Sequence, residues 1–156
     1  MARKSKKKGL RYWKDKLWDE VSIYVRMRSA LETTGSLQEA KCCTCQAKVP
    51  IFGKNCIQAG HFIPGRGNSV LFDIRGIFAQ CYNCNCNLKG NWPKFYAFMK
   101  KRYSEDVVES LIAEQSAIKI YKPVELEEML SQVKAAIILL SEKRITEAEK
   151  LLAGWY

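Results

Sequence analysis

A chain of 156 residues is long enough for one packed domain and short for two. Its hydrophobic fraction of 47% and charged fraction of 27% exclude a disordered or fibrous protein, and its longest apolar run, Ala135 to Leu140, is too short to cross a bilayer. Lys and Arg number 26 against 16 Asp and Glu, a formal charge of +10, which favours a polyanionic partner, nucleic acid before a membrane surface.

Residues 1–9 read as a basic flexible tail, in which Lys4, Lys6, Lys7 and Lys8 are expected to lie along phosphates or simply to keep the chain solvated. No apolar segment stands behind them, so the tail is not a signal peptide and a cytoplasmic protein is expected. Residues 10–35 form an N-terminal helical segment. Leu10, Trp13, Leu17, Tyr24 and Met27 share one face, with Trp18, Val21 and Val25 widening it. These aromatics read as core, and Lys14, Asp15, Arg26 and Arg28 are expected to face water. Thr34-Gly35-Ser36 ends the pattern.

Residues 41–103 form the cysteine-rich centre and the basic helix behind it. Six glycines punctuate positions 53–90, so the elements there are short. Val49 to Phe52 and Ile57 to Phe62 are strand-like, and Val70 to Phe72 with Gly76 to Ala79 is expected to supply another short strand and its approach. The pattern turns helical near Asn83, and Lys94 to Tyr103 is a basic helical segment. Residues 104–156 are helical. Ser104-Glu105-Asp106 starts one helix, Pro123 interrupts, and Val124, Leu126, Met129, Leu130, Val133, Ile137 and Leu140 follow a helical period. Ile145 to Leu152 adds a last helix. This apolar stripe suits either packing within the monomer or pairing of two copies.

Two pairs of cysteines have the spacing of metal knuckles: Cys42 with Cys45, and Cys81 with Cys84. Each C-x-x-C places two sulfurs one tight turn apart, and two such pairs close a four-sulfur zinc site with no open position. Its role is therefore structural. Cys43 is the poorer partner for Cys45, and Cys56 and Cys86 are expected to be small core residues.

His61 is the only histidine and ends a strand-like run between the two knuckles. Arg66 follows it, and the second knuckle runs on into Asn85, Lys89 and Asn91. Phosphodiester hydrolysis needs a base for water, which a neutral imidazole supplies, and a cation for the phosphate charge. An Asn carbonyl is an acceptable ligand for Mg²⁺ or Mn²⁺. Arg66, Lys89, Asn91 and Lys94 are candidate phosphate contacts. The bland reading of Asn85 is a helix cap.

Ala59-Gly60-His61-Phe62, Gln80-Cys81-Tyr82-Asn83-Cys84-Asn85 and Lys89-Gly90-Asn91, closed by the cysteine pairs, resemble the HNH nucleases with a zinc-bound ββα-metal core. More closely, the stretch from Gln58 to Asn91 is similar to the bacteriophage NinG (Rap) recombination proteins. The resemblance implies an α+β fold, a small zinc-stapled ββα-metal core flanked by N- and C-terminal helices. It implies a metal-dependent endonuclease acting on branched DNA such as Holliday junctions and D-loops, in a host cell's cytoplasm. Symmetric cutting of a branch needs two sites in fixed geometry, so a homodimer is expected, while a recombinase partner is left open. Carried over by position, His61 is the general base and Asn85 holds the catalytic Mg²⁺ or Mn²⁺. The motif's usual Asp before the histidine is Gly60 here, and its middle Asn aligns near Gly76. These departures imply one firm protein ligand, or Asp73 reaching in from the second strand, with Asn68 as a substitute brace. The competing expectation is a non-catalytic zinc-stabilised module that binds DNA or RNA.

Overall fold

The first apolar stripe folds as one long helix, α1 (Leu10–Thr34), in a computed structural model that describes residues 9–156. Lys4, Lys6, Lys7 and Lys8 therefore lie outside the described residues. Gly35 stops the helix at a left-handed φ of 71°, its N–H bonded to the Leu31 carbonyl. Leu17, Val21, Tyr24 and Val25 are fully buried, as the period requires, whereas Leu10 is exposed in the first turn. Arg28 departs from expectation: it is 2% exposed rather than facing water. Its guanidinium donates to the carbonyls of Ile77 (2.8 Å) and Ile74 (3.4 Å) and lies over the Phe78 ring. An arginine can be buried where carbonyls take its protons and an aromatic face takes its charge.

The seam opposite α1 is built by α5 (Pro123–Ser141), which Pro123 opens from the first turn. Leu126, Val133, Ala136 and Leu140 are fully buried in one cluster with the α1 residues. Helix α6 (Ile145–Leu152) folds back on α5 and adds Ala148 and Leu152 to that cluster. Leu126, Val133 and Leu140 of the α5 stripe are thus packed within the chain, while Val124 at its start is exposed. Among the described residues, no helix is long and apolar enough to cross a membrane.

Between these helices lie two two-stranded antiparallel sheets. β1 (Glu39–Lys41) pairs with β2 (Lys48–Pro50), Ala40 opposite Val49. β1 has no strand signature of its own; the cysteine turn that follows folds the chain back, with Cys42 N–H on the Ala47 carbonyl at 2.9 Å. β3 (Gln58–His61) pairs with β4 (Ile77–Gln80), Gln58 opposite Gln80 and His61 opposite Ile77.

The expected strand at Val70 to Phe72 is instead a helical turn, α2 (Asn68–Leu71). Residues two apart in a strand share a face. Val70 packs with Phe62, Phe78 and Phe95, while Phe72 packs in the separate α1–α5 cluster, and a turn can send them to opposite sides. The cluster around Phe78 is completed by α3 (Trp92–Arg102) and α4 (Glu105–Glu114), through Met99, Val108 and Leu111.

Leu126→Ala should lower stability by about 3 kcal/mol in chemical denaturation of the zinc-loaded chain. A loss below about 1 kcal/mol would contradict the burial of this residue in the α1–α5 seam.

Candidate functional site

Cys42 and Cys45 sit on the turn after β1, and Cys81 and Cys84 on the turn after β4. Their four sulfurs lie within 4.8 Å of one another, and Cys45 Sγ is 3.7 Å from Cys81 Sγ. A zinc–sulfur bond of about 2.3 Å sets a tetrahedral edge of about 3.8 Å, so the donor set fits a structural zinc. The surroundings also favour a thiolate. Burial opposes ionisation of Cys42, but the Thr44 hydroxyl and the N–H groups of Cys81, Cys45 and Thr44 outweigh it and hold this thiol below its ordinary value. Burial first, and then hydrogen bonding to neighbouring cysteines, push Cys45 and Cys81 the other way; a cation is what lets sulfurs this close carry charge together.

Cys43 turns away from the cluster into the core beside Phe78, its N–H on the Ala79 carbonyl at 2.9 Å. Cys86 is exposed and Cys56 half-buried, so the expectation that both are core residues fails. Each lies near a polar group instead: Cys86 Sγ is 3.3 Å from Gln58 Oε1, and Cys56 Sγ accepts from Arg26 at 3.4 Å. Asn91 belongs to this neighbourhood. Its Nδ2 donates to Cys84 Sγ at 3.5 Å, from a backbone held at a φ of 49°.

Around the end of β3 an open cleft of about 200 Å³ is lined by His61, Asn85, Arg66 and Lys89, together with Trp18, Ala59, Pro64 and Gly90. Four residues singled out in the sequence meet there. His61 comes from the end of β3, Asn85 from the helical turn behind Cys84, and Lys89 from the loop that closes it.

The imidazole is held on two sides. Its Nε2 is 3.0 Å from the Leu71 carbonyl. A carbonyl only accepts, so Nε2 carries the proton and the Nδ1 lone pair is left available. The Trp18 indole stacks on the ring at 4.8 Å and 22°, and the Arg66 guanidinium lies over the other ring system at 4.4 Å from the Trp18 centroid. Burial lowers the His61 pKa to about 4, with the Arg66 charge adding to the effect and the Leu71 bond opposing it. The ring is therefore neutral across the physiological range.

The remaining sequence candidates fall elsewhere. Asp73 is 4% exposed and both its oxygens are taken by Arg75, the closest contact being 2.6 Å. It lines a separate cavity of about 10 Å³ with His61 and not the open cleft, with its oxygens committed to Arg75. Asn68 does not touch His61. Its Oδ1 accepts from Lys14 at 2.8 Å and its Nδ2 donates to the Lys119 carbonyl at 2.9 Å. It pins the start of the same short turn whose last residue, Leu71, holds the imidazole. Lys94 is exposed on the first turn of α3 and is not among the residues of the cleft wall.

Sequence reasoning placed Trp18 in the helix core and missed its contact with His61; helical period alone cannot separate the two roles. It also passed over Gln58 and Gln80. Asn85 is oriented by Gln58, whose Oε1 accepts from Asn85 Nδ2 at 2.8 Å. No local signal marks them: Gln58 and Gln80 meet only through the pairing of β3 with β4.

The family model described as bacteriophage lambda NinG protein matches residues 1–143. Comparison with curated proteins and with solved structures gives no match.

Purified chain should carry a single zinc by atomic absorption, lost in Cys84→Ala or on strong chelation together with the near-ultraviolet signature of the folded core. Full retention of fold and metal in that variant would rule out the four-sulfur site. His61 is the sole histidine, so its proton resonance can be followed without assignment. Its titration midpoint should lie near 4, well below the usual 6.5. The neutral ring is the folded form, so its contribution to stability is complete above 6.5 and is lost as pH falls toward 4. A midpoint near 6.5 would mean the ring is neither buried nor bonded as described.

Proposed function

The chain belongs to the NinG family, and from that premise we propose that it is a metal-dependent, structure-specific DNA endonuclease of the HNH type, acting on branched recombination intermediates. The observation that carries the reading is the contact of His61 Nε2 with the Leu71 carbonyl, which assigns the proton to Nε2. A neutral imidazole with Nε2 tied to a backbone carbonyl presents Nδ1 as the base, in a cleft shared with Asn85, Arg66 and Lys89. The order of elements supports it as well: the antiparallel pair β3–β4, then the turn carrying Asn85, then α3 correspond to the two strands and helix of a ββα-metal core.

In this reading His61 Nδ1 takes the proton of the attacking water. The Leu71 carbonyl and the Trp18 face keep the ring at one angle, so the base is oriented before substrate arrives. Asn85 holds Mg²⁺ or Mn²⁺ through Oδ1, its Nδ2 being committed to Gln58. The bound ion supplies positive charge to the scissile phosphate and the leaving oxygen. Arg66 and Lys89, both exposed at the rim, grip flanking phosphates. The net charge of +10 supplies binding that does not depend on sequence and weakens steeply with salt. Selective, symmetric cutting of a branch requires two such clefts in fixed geometry, and a two-fold pair of copies provides them.

The decisive assay uses a labelled four-way junction and its matched linear duplex in Mg²⁺ and in Mn²⁺. The wild type should nick the junction, and His61→Ala should lower the rate by about 10³ with junction binding retained. Lys89→Ala and Arg66→Ala should weaken binding and flatten its salt dependence. Tight junction binding with no cutting in either metal would replace the nuclease with a zinc-stabilised DNA-binding protein.

A further inference from the structure

Gln80 is the last residue of β4 and is 0% exposed, between the zinc turns and the cleft. The orientation of its amide is settled by its partners. Nε2 donates to the Gly90 carbonyl at 2.8 Å and to Thr44 Oγ1 at 3.3 Å, and the carbonyl can only accept. Oε1 is thereby turned to the other side, buried and without any donor. A buried amide oxygen left in this way is destabilising unless something meets it.

What it faces is the missing side chain of Gly60. A Cβ at that position would lie 2.2 Å from Gln80 Oε1 and 3.1 Å from Asn85 Oδ1. The backbone of Gly60 is outside the left-handed region, so the space and not the conformation demands glycine. Two amide oxygens thus flank one small volume on the residue next to His61. The negative ends of two dipoles repel, and a cation between them reverses the sign of that interaction. Neutral amide oxygens are hard ligands that suit Mg²⁺ or Mn²⁺ and not a soft metal.

We propose that Gln80 Oε1 is the second protein ligand of the divalent cation that Asn85 holds, and that Gly60 is glycine to leave the room it needs. This rests on the metal role given to Asn85 above. It replaces a single-ligand site with one gripped from both the strand and the turn. It also ties the cation to the zinc cluster, because Gln80 directly precedes Cys81.

The test is Mn²⁺ binding to the zinc-loaded full chain, followed by the electron paramagnetic resonance of free Mn²⁺, with zinc content and melting temperature measured on each variant. Wild type should bind one Mn²⁺. Gln80→Leu should weaken that binding at least about tenfold with zinc retained, as a lost ligand requires. Gln80→Glu turns a carboxylate oxygen against the Gly90 carbonyl, so it should melt lower than wild type without Mn²⁺ and gain more from its addition. Binding by Gln80→Leu equal to wild type, with Asn85→Ala defective, would overturn the role of Gln80 and leave the nuclease reading in place. Should Gln80→Leu fail to keep its zinc, Gln80→Glu decides, and a Mn²⁺ shift no larger than that of wild type overturns the proposal. No Mn²⁺ bound by wild type would remove the metal role of Asn85 and Gln80 together.

Discussion

Four thiols drawn to within 4.8 Å of one another tie the two small sheets into one body, and the rest of the centre depends on that tie. Neither β1–β2 nor β3–β4 has more than two strands, and a two-stranded sheet has little independent stability. The cysteines join the turn after β1 to the turn after β4, closing a long loop that contains β2, β3, α2 and β4. A metal that accepts all four sulfurs removes much of the disorder such a loop would otherwise keep. The functional side chains hang directly from this staple. Gln80 precedes Cys81, Asn85 follows Cys84, and Asn91 donates to the Cys84 sulfur while opening α3.

The cleft is preorganised by groups that carry no catalytic signature. A backbone carbonyl on a four-residue turn selects the tautomer of His61, and an indole from α1 presses on the ring. α1 therefore has two roles on different faces. Leu17, Val21 and Val25 bury the seam with α5, while Trp18 and Lys14 reach across to His61 and to the Asn68 turn. The large helical seam thus holds the position of one ring in a small site. Arg66, in a left-handed backbone at φ 50°, stacks on the same indole and adds a charge to the burial that keeps the imidazole neutral.

Much of this was legible in the residues alone. The period of α1 and of α5, the limits of α6 and the two knuckles follow from spacing, because helical faces and tight turns are local properties of the chain; the grouping of His61 with Asn85 is what the family resemblance implied. The family resemblance carried by Gly60-His61, Cys81 to Asn85 and Lys89-Gly90-Asn91 extends, in the matching family model, over residues 1–143. Local signals failed where a partner distant in sequence sets the outcome. β1 exists because the cysteine turn returns the chain to it. Val70 to Phe72 is a turn because its apolar residues serve two cores. Arg28 is buried because carbonyls from the far side of the sheet receive it.

The sequence by itself determined which residues are candidates for the proposed chemistry: four sulfurs, one imidazole, one amide and a surplus of positive charge. Only the tertiary structure decided how they are poised. It closed the Asp73–Arg75 pair with Glu114 from α4, left the amide oxygen of Gln80 facing Asn85 across Gly60, and made Trp18 a wall of the cleft. Ligand identity is written in side-chain type, whereas protonation, orientation and access depend on neighbours that packing brings together from distant parts of the chain.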